Sequence, residues 1–170
     1  NQRLGELALT DVLTSLSNRR HAMQMLDQMW AESIETGKPL SCMMIDADGF
    51  KQINDNYGHD AGDKVLVELA KQLKYAVRTD DKVCRLGGDE FLILCPDTDC
   101  EGAKSIADKT HAEVNGMNVS VSGGAWSGSI SVGVATRTKQ MSDPGDLIKS
   151  ADSGVYAAKD AGKNCVKALC

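Results

Sequence analysis

A chain of 170 residues, 42% hydrophobic and 25% charged, is sized for one domain with its own core. Lysine and arginine total 19 against 24 aspartates and glutamates, a net charge of −5, which argues against a protein that holds duplex nucleic acid by neutralising phosphates. No apolar run approaches the ~20 residues that cross a bilayer and the N-terminus lacks the form of a signal peptide, so no membrane contact by this segment is expected.

The chain starts at Asn1 rather than Met, as a piece of a longer protein would. After a short apolar stripe, Leu4 and Leu7, the sequence turns polar. A helix is predicted over 19–36, with Met23, Leu26, Met29 and Trp30 at helical spacing and Asn18 as its N-cap. Gly37-Lys38-Pro39 stops it. "LSCMMIDAD" is a short apolar run ending in acids, which suits a buried strand. A second helix is predicted over 60–77, with Asp60 as N-cap and Val65, Leu66, Leu69, Leu73 and Val77 on one face. "KVCRL" and "EFLILC" follow, with Gly87-Gly88 between them as a hairpin signal. A third helix is expected over 100–114, a strand in "SGSISVGVAT", a last helix over 146–161 closed by Gly162, and a final strand in "CVKAL". "VSVSGGAWSGSIS", residues 119–131, reads as a Gly- and Ser-rich loop carrying Trp126 and receives no functional account.

This order predicts an α+β sandwich, a mixed sheet of about five strands flanked by helices. Without its first and last helices it is βαββαβ, the ferredoxin-like, palm-type core. Cys42, Cys84, Cys95, Cys100, Cys165 and Cys170 form no CxxC pair, so zinc and redox motifs are disfavoured. The first three lie inside apolar runs and read as small core residues. A reduced, cytoplasmic setting is expected.

The chemistry gathers in the acids. Asp46 closes the first strand with Asp48 two residues on, and Asp89 and Glu90 open the second arm of the hairpin. Should the two segments lie side by side, carboxylates from both meet at one sheet edge, where they repel unless a cation or proton joins them. Mg²⁺ suits such a place, because it takes a few oxygen ligands and keeps positions for water and phosphate. The glycines allow the turn's backbone to lie close to a phosphate. Singly, each acid is more often structural: Asp89 follows a tight turn and Asp46 ends a strand. Asp63 alone reads as an acid in the first turn of a helix, worth ~0.3–1 kcal/mol. Asn54 and His59 alone read as parts of a solvated turn.

"DADGFKQINDNYGHDAGD", "RLGGDEF" and "ADSGVYAAKDAGKN" closely resemble three motifs of the GGDEF-domain family, the diguanylate cyclases. "DVLTSLSNRR" is similar to that family's opening motif and "SISVGVA" to its strand after the third helix. The resemblance covers nearly the whole chain, in order, and implies one domain over 1–170, with 1–10 ending an upstream linker helix. It implies condensation of two GTP into cyclic di-GMP with release of two pyrophosphates. Mg²⁺, with Mn²⁺ as an alternative ion, would be held by Asp46, Asp89 and the carbonyl of Ala47. Glu90 would sit at the reacting 3′-hydroxyl as general base or a further metal ligand.

The resemblance also assigns the substrate contacts. Backbone N–H groups near Gly49 and Phe50, with Lys51 in reach and Gly88 in the turn, would meet phosphates. Lys159 and Lys163 match a basic pair on the β- and γ-phosphates. The family usually has Arg at the second position, and Lys163 keeps the charge without the bidentate fork. Asn54 and Asp63 match the guanine-reading pair, since a carboxylate accepts from guanine N1–H and N2–H₂ together. His59 matches a position near the nucleoside. Arg78-Thr79-Asp80-Asp81 matches the Arg-x-x-Asp product-inhibition site, with Lys82 to Leu86 as the five residues before the pentapeptide. Taken alone, that motif is a charged helix exit. The implied partners are GTP, cyclic di-GMP as product and inhibitor, a transient symmetric homodimer and a fused N-terminal sensory or regulatory region.

Two other readings compete. A degenerate domain would bind GTP or cyclic di-GMP without turnover, which the presence of Asp46, Asp89, Glu90, Asn54 and Asp63 disfavours. Another nucleotidyl transfer on the same sandwich, such as an adenylate cyclase or polymerase palm, is disfavoured by Asn54, Asp63 and the Arg-x-x-Asp register.

Overall fold

The computed structural model describes residues 8–170. The expected upstream linker helix over 1–10 falls mostly outside them, and Ala8 to Thr10 are not helical. Helix α1 (Arg19–Thr36) starts where expected, with the Asn18 side chain accepting from the His21 N–H, and ends at Gly37 in the left-handed conformation.

The chain then builds β1 (Leu40–Ala47), α2 (Phe50–Tyr57), α3 (His59–Ala76), β2 (Lys82–Gly87) and β3 (Glu90–Pro96). It continues with α4 (Cys100–Asn115), β4 (Asn118–Val121), β5 (Gly124–Ser127), β6 (Ile130–Thr136), α5 (Pro144–Asp160) and β7 (Val166–Ala168). Five strands form a mixed sheet in the order β2-β3-β1-β6-β7, antiparallel except for the β6–β7 pair. The βαββαβ core is therefore present, with α1 and the α5–β7 unit added to it.

Strand alternation decides what each helix covers. Met43, Ile45, Phe91 and Ile93 face the layer that contains α3 and α4. Cys42, Met44, Leu92 and Leu94 face α1 and α5. Continuing that alternation puts Asp46 and Glu90 on the α5 face. The buried thiols behave as core residues, and burial pushes those of Cys42 and Cys84 up to about 12. Helix α5 lies very close to β6: a Cβ on Gly133 would stand 2.0 Å from the Ala151 carbonyl oxygen, and one on Gly154 would stand 2.6 Å from Gly133 Cα.

Several expectations need correction. Residues 50–57, where no helix is expected and Asn54 reads as part of a solvated turn, form a helix of their own. As a result α3 begins at His59 behind Gly58, and Asp60 lies in its first turn rather than capping it. The hairpin turns on Gly88 and Asp89, because Gly87 pairs with Glu90 after a bulge at the end of β2. Residues 118–127 form a hairpin of two strands instead of a loop. Helix α5 begins two residues early, at Pro144, on a capping box formed by Asp143 and Asp146. The all-reduced expectation also fails: Cys100 and Cys170 are joined by a disulfide, their Cα atoms 6.1 Å apart.

Candidate active site

Strands β1 and β3 run antiparallel with Asp46 opposite Glu90, so the acids of both segments meet at one end of the sheet. Burial and register together set their electrostatics. Asp46 is 8% exposed. Its Oδ2 accepts a hydrogen bond from Lys159 Nζ, which reaches down from α5, while its Oδ1 is buried with no partner. An unpaired buried acceptor costs about 1–3 kcal/mol, more when charged. Burial, and then the Asp46 charge, raise the Asp89 carboxyl above its usual range. Burial raises Glu90 likewise, joined by the charges of Asp46 and Asp152 and opposed by Arg19. The hydrogen bond to Asp46 raises Lys159.

These residues suit a divalent cation. An orphaned carboxylate oxygen and a repelling neighbour are what an ion would resolve, and the Lys159 ammonium supplies positive charge there. Among the described residues, no three carboxylate, histidine or cysteine side chains gather closely enough to hold a metal alone. An ion at this edge must therefore complete its shell with backbone carbonyls, water or phosphate, as Mg²⁺ commonly does. Ala47 adjoins it, its N–H bonded to the Asp89 carbonyl at 3.4 Å.

The turn itself is braced by residues the sequence reading did not single out. Arg85 donates from Nε and Nη2 to the Gly88 carbonyl at 3.0 and 2.9 Å. Its Nη1 meets both oxygens of Asp11 at 3.1 and 3.2 Å. Burial pushes Asp11 up, but hydrogen bonds from Thr14 and Arg85 outweigh it and hold the carboxyl below its usual value. Both residues stood inside the quoted motifs, Asp11 in the opening one and Arg85 beside the glycines. Their pairing across the chain has no local signature.

On the other side of the edge, Gly49 caps α2 in the left-handed conformation, at φ 74°, and no side chain caps the helix. The N–H groups of its first turn, at Phe50 and Lys51, are thus left for an anion. Lys51 and Lys163 are exposed, and Lys163 lies in the turn after α5. Asn54 points from α2 onto the start of α3, where a Cβ on Gly62 would stand 1.9 Å from Asn54 Oδ1. Gly62 is therefore what lets Asn54 and the adjoining, exposed Asp63 share one corner with His59. Asp63 lies beyond the first turn of α3, which weakens its reading as a helix-start acid.

Arg78 and Asp81 lie at the far end of the sheet, joined to each other. Arg78 donates from Nε and Nη2 to the two Asp81 oxygens at 3.0 and 2.7 Å, and its backbone N–H adds a third bond at 3.0 Å. The Asp81 side chain is fully buried and that of Arg78 half exposed. The Asp81 hydrogen bond raises the Arg78 guanidinium further.

A palm-like sandwich with paired acids on adjacent strands, and a lysine and an uncapped helix beside them, defines a nucleotide-handling domain. The sequence model of the diguanylate cyclase GGDEF domain matches residues 8–165, and the chain belongs to that family. It is 43% identical over 163 residues to the response regulator PleD of Caulobacter vibrioides, an alignment covering 95% of this chain and 36% of PleD. The diguanylate cyclase SiaD of Pseudomonas aeruginosa, solved in complex with its activator SiaC, superposes with TM-score 0.88 at 34% identity, over 98% of this chain and 63% of SiaD. The GGDEF domain of DgcB from Caulobacter crescentus, solved in complex with cyclic di-GMP, gives 0.87 at 28% identity over 98% of each chain. This chain thus spans about a third of the length of PleD. No helix among the described residues is long and apolar enough to cross a membrane.

Proposed function

We propose that this domain condenses two GTP into cyclic di-GMP and two pyrophosphates with Mg²⁺, Mn²⁺ serving as an alternative ion. The observation that carries the reading is the buried, unpartnered Oδ1 of Asp46, set across from Glu90 at the strand edge it shares with Asp89. Buried polar side-chain atoms are with few exceptions hydrogen-bonded, so a carboxylate oxygen left bare is a place for a cation to bind.

Asp46 and Asp89, with the carbonyl of Ala47, would hold the ion, which when bound neutralises phosphate charge and eases deprotonation of the attacking hydroxyl. The N–H groups at the start of α2, Gly88 in the turn, and Lys51, Lys159 and Lys163 bind the triphosphate. Lys159 exchanges part of its contact with Asp46 for phosphate oxygens. Asn54 and Asp63 select guanine, with His59 beside the nucleoside. Glu90 accepts the proton of the 3′-hydroxyl, which attacks the α-phosphate of the facing nucleotide as pyrophosphate leaves. Each GTP gives a hydroxyl to the other, so two domains face each other across a two-fold axis. Arg78, anchored by Asp81, presents its remaining N–H groups to product guanine as a feedback site.

Incubation with GTP and Mg²⁺ followed by product identification tests this. Cyclic di-GMP, dependent on the ion and absent with ATP, is the expected result. Nucleotide binding without turnover would leave only a sensor, and turnover of ATP would overturn the guanine assignment.

A further inference from the structure

Asp48 stands two residues from Asp46, and its chemistry there differs. We propose that Asp48 is a positioning residue that locks together the two segments assigned above to the triphosphate, and that the 118–127 hairpin serves as its brace. This rests on the phosphate assignments of Gly49 to Lys51 and of Lys163.

Both side-chain oxygens of Asp48 have partners, whereas one of Asp46's has none. Its Oδ1 accepts from Ser131 Oγ at 2.7 Å, and its Oδ2 accepts from Ser129 Oγ at 2.7 Å and from the Asn164 N–H at 2.9 Å. Its own N–H donates to the Ser129 carbonyl at 3.0 Å, and its carbonyl accepts from Trp126 Nε1 at 2.8 Å. Ser131 and Trp126 are both buried, so these partners are fixed by the sheet and the hairpin. The hairpin is held in turn by the Tyr57 ring, which lies so close that a Cβ on Gly124 would stand 2.4 Å from it.

The contacts tie two places. Asp48 directly precedes Gly49, the left-handed cap of α2. Through Asn164 it also holds the turn after α5, where Lys163 and Asn164 both adopt positive φ, 66° and 51°. Asparagine adopts that conformation more readily than most residues, but lysine avoids it unless contacts fix the turn. Asn164 is fixed by Asp48 and, on its side chain, by His111 Nε2 at 2.7 Å. Removing Asp48 therefore releases the Lys163 turn from the α2 cap.

Asparagine can keep the whole arrangement. Its carbonyl oxygen in the place of Oδ2 accepts from Ser129 and Asn164, and its amide in the place of Oδ1 donates to Ser131 Oγ. A metal ligand or a required charge would not tolerate that exchange. In the full domain, Asp48→Ala should raise KM for GTP about tenfold or more with a smaller change in kcat, and Asp48→Asn should restore KM to within about threefold of the parent, as expected for lost and kept hydrogen bonds. Amide hydrogen exchange at Asn164 should quicken in Asp48→Ala and remain slow in Asp48→Asn. This second readout needs no nucleotide, so it stands apart from failure of the GTP reading. If Asp48→Ala does not fold, Ser129→Ala, which removes one support of Oδ2, should quicken exchange at Asn164. An Asp48→Asn variant as impaired as Asp48→Ala, or unchanged exchange at Asn164 in both Asp48→Ala and Ser129→Ala, would overturn the proposal.

Discussion

Asp46 and Asp81 are both buried aspartates, at opposite ends of the same sheet, and the fold treats them differently. Asp81 has both oxygens occupied by one arginine three positions earlier in the same turn. Asp46 has one oxygen on a lysine from a distant helix and the other bare, with Asp89 and Glu90 as acidic neighbours. The Asp81 corner stabilises the fold and presents half of Arg78 to solvent. The Asp46 edge stores an electrostatic cost that a ligand can relieve. Burial alone does not tell these two carboxylates apart; the count of satisfied oxygens does.

The largest expected effect is on the chemistry at the unsatisfied end. Glu90→Gln should lower cyclic di-GMP synthesis by a factor of about 100 or more, the usual scale for removing a general base, with GTP binding kept. Near-parental turnover would take Glu90 out of the reaction. The sharpest contrast is in stability without metal. Asp81→Asn should cost about 2 kcal/mol in chemical denaturation, below the figure for a fully buried pair because Arg78 is half exposed. Asp46→Asn should cost far less, since it relieves repulsion, yet it should weaken Mg²⁺-dependent GTP binding about tenfold. Equal destabilisation by the two variants would erase the distinction.

At the satisfied end, Arg78→Ala should shift inhibition by cyclic di-GMP about tenfold, with synthesis intact. Identical inhibition of variant and parent would make the Arg-x-x-Asp match accidental. A third kind of carboxylate, the exposed Asp63, extends the comparison. Asp63→Ala should narrow the preference for GTP over ATP in competition binding, because the acceptor for guanine's donors is gone. Unchanged selectivity would remove Asp63 from base recognition. The smallest effect concerns assembly: specific activity should fall on dilution as a two-domain unit dissociates, and a flat value where ultracentrifugation shows only monomer would rule that unit out.

The sequence announced what periodicity and punctuation can announce. Helix α1 and its Asn18 cap, the acid-ended β1 and the paired β2 and β3 follow from apolar spacing and glycines. The meeting of Asp46 with Glu90 followed once β1 was placed beside the hairpin. What stayed hidden depends on long-range partners. Residues 50–57 are too polar and too glycine-flanked to read as a helix, and Ile53 is their one buried residue. The 118–127 hairpin looked like a loop because its value lies in Trp126 reaching Asp48, a contact across 78 positions. The Cys100–Cys170 pairing spans 70 positions and matches no spacing rule. Lys159 on Asp46 was equally invisible, since its phosphate assignment came from resemblance and its ion pair comes from the height at which α5 crosses the sheet.

That height rests on Gly133 and Gly154, and it behaves as a ratchet in the history of such a chain. Most buried contacts can drift, because a residue that grows on one side is answered by one that shrinks on the other. Here both sides already carry the smallest residue, so nothing remains to shrink. A methyl on either must lift α5 away from β6, and Lys159 rides on that helix toward the acids. Each single step away from the pair therefore moves Lys159 first.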